Sequence, residues 1–212
     1  MYNVIATGSK ENAVIYGSNG YIAVDCGVSF AKIKPFLKDL RLVLFSHLHS
    51  DHFNSATIKR MAFERPSLRF GCGQFMLDSL LSLNINTNNI DVYDYGKLYD
   101  YGIFKISPVK LYHDIEIFGY RLFIDGKKIF HATDTAHLKG ITAKDYSIYA
   151  LEANYDEETV WQHIEEKERR GEFAHQRGAI NSHLSIQQAH SFLLNNAGAN
   201  YEFVQLHQSK QF

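Results

Sequence analysis

The chain has 212 residues, 45% of them hydrophobic and 14% aromatic, with 21% charged residues and a net charge of -1. That apolar content fills one sizeable core, and the sequence is read as one domain over residues 1–212. Long nucleic-acid duplexes are usually met by a strongly basic face, and the near-neutral composition shows none, although a local patch stays compatible with it.

Cys26 and Cys72 lie beside glycines near apolar runs and form no CxxC pair. They read as small buried residues rather than a disulfide, which fits a reducing compartment. The N-terminus lacks a basic start with a long apolar core, and no apolar run approaches the ~18 residues of a membrane span. The expectation is a cytoplasmic protein without a membrane partner.

In chain order, "NVIAT", "AVIYG" and "YIAVDCG" are strand-like, separated by Gly-Ser or Asn-Gly breaks. "SFAKIKPFLKDL" has helical apolar spacing and "RLVLFS" reads as a buried strand. "NSATIKRMAFER" reads as a helix capped by Asn54 or Ser55 and ended before Pro66. In "FKISPVKLYH" and "YRLFIDGKKIFHATDT", Asp125-Gly126 marks a hairpin turn. "SIYALEANY" is a further buried strand, followed by a charged helix ending near Gly171. "SIQQAHSFLLNNAGA" carries an apolar helical stripe, and "YEFVQLH" is a last strand. Strands first, with helices interleaved and late, predict two packed sheets with helices outside, an α/β or α+β arrangement.

The chemistry is concentrated in "FSHLHSDHF", residues 45–53. On a strand, positions i and i+2 point the same way, so His47 and His49 should project together from the end of "RLVLFS". Asp51 and His52 come round from the loop that follows. Neutral imidazoles and a carboxylate suit zinc, manganese or iron, and the absence of cysteine ligands argues against a closed structural zinc site. The plain alternative is a polar loop with exposed histidines.

This stretch resembles the signature of the metallo-β-lactamase superfamily. The resemblance implies a four-layer αββα sandwich with metals at one edge between the sheets. It also implies two divalent metal ions, Zn2+ in the first instance with Mn2+ as the alternative. His47, His49 and His113 would hold one ion, Asp51, His52 and His207 the other, with Asp134 bridging. Taken singly, His113 and His207 are strand-end histidines, and Asp134 could cap a turn. His131 competes with Asp134 but should point into a sheet. His137, His163, His175 and His190 carry no motif.

Two such metals can share a water and lower its pKa toward neutrality, giving a hydroxide nucleophile. "NSHLSIQQAH" adds a candidate general acid in His183, and "YALEANYD" places Glu152 near a strand end. A carboxylate against an imidazole favours the protonated form that a proton donor needs. The structural alternative is a helix cap by Ser182 or Ser185 with His183 incidental.

"LEANYD", "SHLS" and "LHQS" in this order resemble the phosphodiesterase branch of the superfamily, which includes ribonuclease Z and small YycJ-like bacterial and phage proteins. The resemblance makes His183 the acid, Glu152 its partner and Asp51 part of the catalytic set. It implies hydrolysis of a phosphodiester in nucleic acid or in a small or cyclic nucleotide, and by analogy it admits a homodimer. "SHLS" departs from the usual ribonuclease Z motif, and no long Gly/Pro-rich arm is evident, which counts against tRNA processing. The rival functions are hydrolysis of a carbon ester, lactone or thioester on the same metals, or a metal-binding module without turnover. Ser9 and Lys10 in "TGSKEN" are a further phosphate-contact candidate, against a simple strand turn at Gly8-Ser9.

Overall fold

The computed structural model describes residues 1–172 and 176–207. Two six-stranded sheets form it. The first runs in chain order: β1 (Tyr2–Ala6), β2 (Ala13–Tyr16), β3 (Ile22–Val24), β4 (Leu42–Leu44), β5 (Arg69–Gly73) and β6 (Ile90–Tyr93). The second is ordered from β12 (Glu202–Leu206) through β11 (Ile148–Glu152), β10 (Lys127–Ala132), β9 (Phe118–Ile124) and β8 (Phe104–Lys110) to β7 (Tyr99–Asp100). In chain order the first sheet is antiparallel over its first three strands and the second over its first four. β3 to β6 and β10 to β12 then pair in parallel, which requires crossovers.

Strand alternation builds the layers. In β2, Val14 and Tyr16 face the second sheet while Ile15 faces the helices outside. The inner core joins Val24, Leu42 and Leu44 to Tyr120, Leu122, Ile129 and Leu206. Outside the first sheet, α1 (Phe30–Ile33), α2 (Ser55–Glu64) and α3 (Leu77–Ser82) contribute Ile33, Ile58, Met61 and Leu80. Outside the second, α6 (Ile186–Asn196) packs Ala189, Phe192 and Leu193 on Phe130, Tyr149 and Leu151. This is the αββα order anticipated from the sequence.

Local expectations hold where a cap or turn residue marks them. Asn54 caps α2 by accepting from Thr57 N–H, and Ser185 forms a reciprocal capping box with Gln188 on α6. Asp125 and Gly126, at φ 51° and 71°, make the β9–β10 turn. The helix expected over residues 29–40 is shorter. It runs Phe30–Ile33 and tightens into a 3-10 turn at Lys34–Phe36, because Pro35 brings no N–H to continue the ladder. Two helices were not anticipated, α3 and α5 (Gln176–Ser182). Both cysteines are buried and free. No helix among the described residues is long and apolar enough to cross a membrane.

Candidate metal centre

β4 ends at Leu44, so His47 and His49 sit on the loop beyond the strand rather than on it. Their rings still converge, with His47 Nε2 3.1 Å from His49 Nδ1. The loop turns back through His52 and Phe53, whose N–H groups both donate to His49 O. It is clamped from below: Asn12 N–H donates to Asp51 O at 2.7 Å, and Cys26 N–H to His52 O at 2.9 Å.

Gly27 is the position this clamp requires. A Cβ there would lie 1.7 Å from Asp51 O and 2.2 Å from Asp51 C, both backbone atoms. No rotamer relieves that overlap, so the chain carrying Asp51 and His52 would have to move. We expect Gly27→Ala to destabilise the fold by about 1–3 kcal/mol and to weaken metal uptake, read by urea unfolding and by metal analysis of the folded fraction. An unchanged unfolding midpoint would show that the clamp yields freely.

The remaining predicted residues come from the second sheet. Asp134 follows β10 in a left-handed turn (φ 49°), Glu152 ends β11, and His207 follows β12, also left-handed (φ 48°). His113 follows β8, and His183 lies between α5 and α6. Of these, His113, Asp134 and His207 meet His47, His49, Asp51 and His52. His47, His49, His113 and Asp134 place donor atoms within 4.8 Å of one another, and so do Asp51, His52, Asp134 and His207. Asp134 Oδ2 is 3.5 Å from His47 Nε2 and 3.1 Å from His52 Nε2, while its Oδ1 is 3.7 Å from His207 Nε2. It lies between the two groups.

A third group, Asp134, Glu152, His183 and His207, adjoins these. His183 Nδ1 is 2.6 Å from Glu152 Oε1, and its ring stacks on His207 with centroids 5.0 Å apart and planes 10° apart. Glu152 is wholly buried, and its Oε2 accepts from Thr135 N–H (2.9 Å) and Leu184 N–H (3.2 Å).

The donor set fits divalent cations. Ligating histidines need the far ring nitrogen held by a partner, which fixes tautomer and orientation. Here His47 Nδ1 meets Ser46 Oγ at 2.9 Å, and His52 Nδ1 meets Asp25 Oδ2 at 2.7 Å. His113 Nδ1 meets Ser182 O at 2.9 Å, and His207 Nδ1 lies 2.9 Å from Asn154 Nδ2 and 3.3 Å from Glu152 Oε1. For His47, His52 and His207 Nε2 is left toward Asp134, while His113 Nε2 lies 3.0 Å from Asp114 Oδ1.

The electrostatics differ from residue to residue. Burial, helped by the neighbouring His52, pushes the His47 imidazole down to about 3, the neutral form a ligand requires. Burial opposes ionisation of Asp134, but His52 and His207 outweigh it and hold that carboxyl well below its usual range. Burial likewise opposes charge on His207, yet Asp134 above all raises it to about 10. A bound cation would displace that proton.

Asp25, Asn12, Asn154 and Asp114 join the site without having been singled out in the sequence. Asp25 stands at the end of an apolar strand, the same position that marked Asp134, and that signal was there to be read. Asn12 Nδ2 lies 2.8 Å from His52 Nε2 and 3.1 Å from Asp51 Oδ2. Ser9 and Lys10 are exposed beside the Gly8–Asn12 turn, in which Gly8 N–H donates to Asn12 Oδ1. His131 is buried with Nδ1 2.8 Å from Tyr16 Oη, inside the sandwich as anticipated. His137 packs on Tyr112, His163 on Thr159 O and His190 on Phe203. His175, and Gln208 and Ser209 of the last motif, lie outside the described residues.

Residues 21–194 match the β-lactamase superfamily domain. The chain is 26% identical over 172 residues to the exodeoxyribonuclease WalJ of Streptococcus pneumoniae, covering 75% of this chain and 64% of that relative's length. Among solved structures it resembles the metallo-β-lactamase fold protein YhfI of Bacillus subtilis (TM-score 0.76, 17% identity, 100% of this chain and 87% of that one). It also resembles human tRNase Z, short form (TM-score 0.70, 16% identity, 99% and 93%). These two likenesses show the fold.

Proposed function

The chain belongs to the β-lactamase superfamily, and on that premise we propose that it is a metal-dependent phosphodiesterase acting on nucleic acid or a small nucleotide. The observation that carries this reading is the His183–Glu152 pair, stacked against His207 at the edge of the metal-ligand cluster. Cleavage of an activated carbon ester needs no such pair, whereas an alkoxide leaving a phosphodiester profits from a proton donor.

In this reading His47, His49 and His113 hold one divalent cation and Asp51, His52 and His207 a second, with Asp134 between them. Zn2+ is the first candidate and Mn2+ the second. Such cations, when bound, supply Lewis-acid charge to a phosphoryl oxygen and lower the pKa of a water.

The chain's own residues do the rest. Glu152 takes His183 Nδ1–H and so leaves Nε2 to deliver a proton to the departing oxygen. Burial disfavours charge on His183, but its hydrogen bond to Glu152 prevails and raises its pKa above the ordinary value. The two backbone N–H groups on Glu152 Oε2 stop the carboxylate from swinging away. Charged side chains along α4 (Glu157–Arg169) pair among themselves and with neighbours, as in Arg170–Glu166 and Arg177–Glu168. That surface therefore offers few unpaired cations to a long duplex, which favours a strand end or a small nucleotide.

The test compares leaving groups. His183→Ala should lower cleavage of a dinucleotide or oligonucleotide by about 10²-fold or more, yet lower p-nitrophenyl ester cleavage far less, because p-nitrophenolate needs no acid. An equal loss on both substrates would remove His183 as proton donor. Turnover of a lactone or thioester without any phosphodiester cleavage would favour the carbon-ester reading.

A further inference from the structure

Four of the five candidate ligand histidines have the far ring nitrogen against buried or backbone partners. His49 differs. Its Nδ1 is turned to His47, and its Nε2 faces outward to Asp114 Oδ2 at 3.5 Å. The His49 side chain is 37% exposed and that of Asp114 58% exposed, so this partner stands at the mouth of the site. Asp114 directly follows His113, and its Oδ1 lies 3.0 Å from His113 Nε2. His113 is itself anchored through Nδ1 to Ser182 O.

We propose that Asp114 is the positioning residue of His49, accepting its Nε2–H and so leaving Nδ1 bare and turned toward His47 and Asp134. The inference rests on the metal-binding reading above and extends it to a residue outside the seven ligands. A neutral imidazole carries one N–H and one lone pair, and a carboxylate beside one nitrogen decides which has which. At an exposed ring, water can serve either nitrogen, so without the carboxylate both tautomers and both ring flips compete. The 3.5 Å separation is an ion-pair contact at the outer edge of hydrogen-bond range. The contact also ties the 45–53 loop to the segment after β8, joining halves of the site that come from different sheets.

The test titrates metal-free wild type, D114A and D114N with Zn2+ against a chromophoric chelator and records the visible spectrum of each protein loaded with Co2+. Wild type should bind two ions. In D114A one of the two should weaken by about 10- to 100-fold, with a changed Co2+ absorption for that site. D114N keeps an amide oxygen that accepts Nε2–H, and it should stay within about threefold of wild type. Equal affinities and spectra for D114A and wild type would overturn this inference alone. D114N as weak as D114A would also overturn it, since charge or direct ligation would then be at work. Wild type that takes up neither ion would overturn the metal-binding reading beneath it.

Discussion

Asp134→Asn is expected to abolish tight binding of the metal pair and to lower phosphodiester cleavage by about 10⁴-fold. Asp134 is common to all three donor groups, and its two oxygens face His47, His52 and His207. Asparagine keeps the shape but removes the charge and turns an N–H2 toward imidazole nitrogens that must accept a cation. The backbone makes this variant informative. At φ 49°, asparagine is among the few residues that tolerate the left-handed turn, so the strand end should keep its course. Metal per chain by elemental analysis, turnover and circular dichroism together separate the outcomes. A folded variant holding two ions and cleaving at the wild-type rate would show that Asp134 does not bridge.

How much of this was legible in the sequence depends on how each feature is encoded. The 45–53 loop announces itself because four donors fall within six positions of one another. His113, Asp134 and His207 were legible because each ends an apolar run, and strand ends at one edge of a sandwich converge. Asn12 and Asp114 matter through what they touch across the fold, and Asp25 shares the strand-end position of Asp134 but meets a partner far off in sequence. Asp25 reaches His52 over 27 positions and Asn12 over 40, and no local pattern records such separations. The projection of His47 and His49 from a strand was right in its consequence and wrong in its cause, since β4 stops at Leu44 and the loop turn brings the rings together. α3 was missed because "LDSLLS" is too short for helical periodicity to stand out from a buried run. The order β12–β11–β10 depends on crossovers that only the packed sheets reveal.

Asp25 is where the largest loss of stability is expected. It is 2% exposed and lies at φ 61° just past β3. Its carboxylate accepts from Ser46 N–H at 2.7 Å and from Ser46 Oγ–H at 2.8 Å to either oxygen, and it faces His52 Nδ1 at 2.7 Å. Burial works against the charge, but His52 outweighs it and holds the carboxyl below its ordinary value. Asp25→Ala strands a buried amide, a buried hydroxyl and an imidazole N–H together, and it places a Cβ without a compensating polar tip in a left-handed conformation. We expect a loss of about 3–5 kcal/mol in urea unfolding, the scale for removing one partner of a buried ion pair. Asp25→Asn divides that loss. It tolerates the backbone and keeps one oxygen for Ser46, so it should unfold nearer to wild type while still binding metal more weakly through a misoriented His52. If the alanine variant unfolds at the wild-type urea concentration, Asp25 bears none of this load. If the asparagine variant binds metal as wild type does, the orientation of His52 is set by the packing around it and not by this carboxylate.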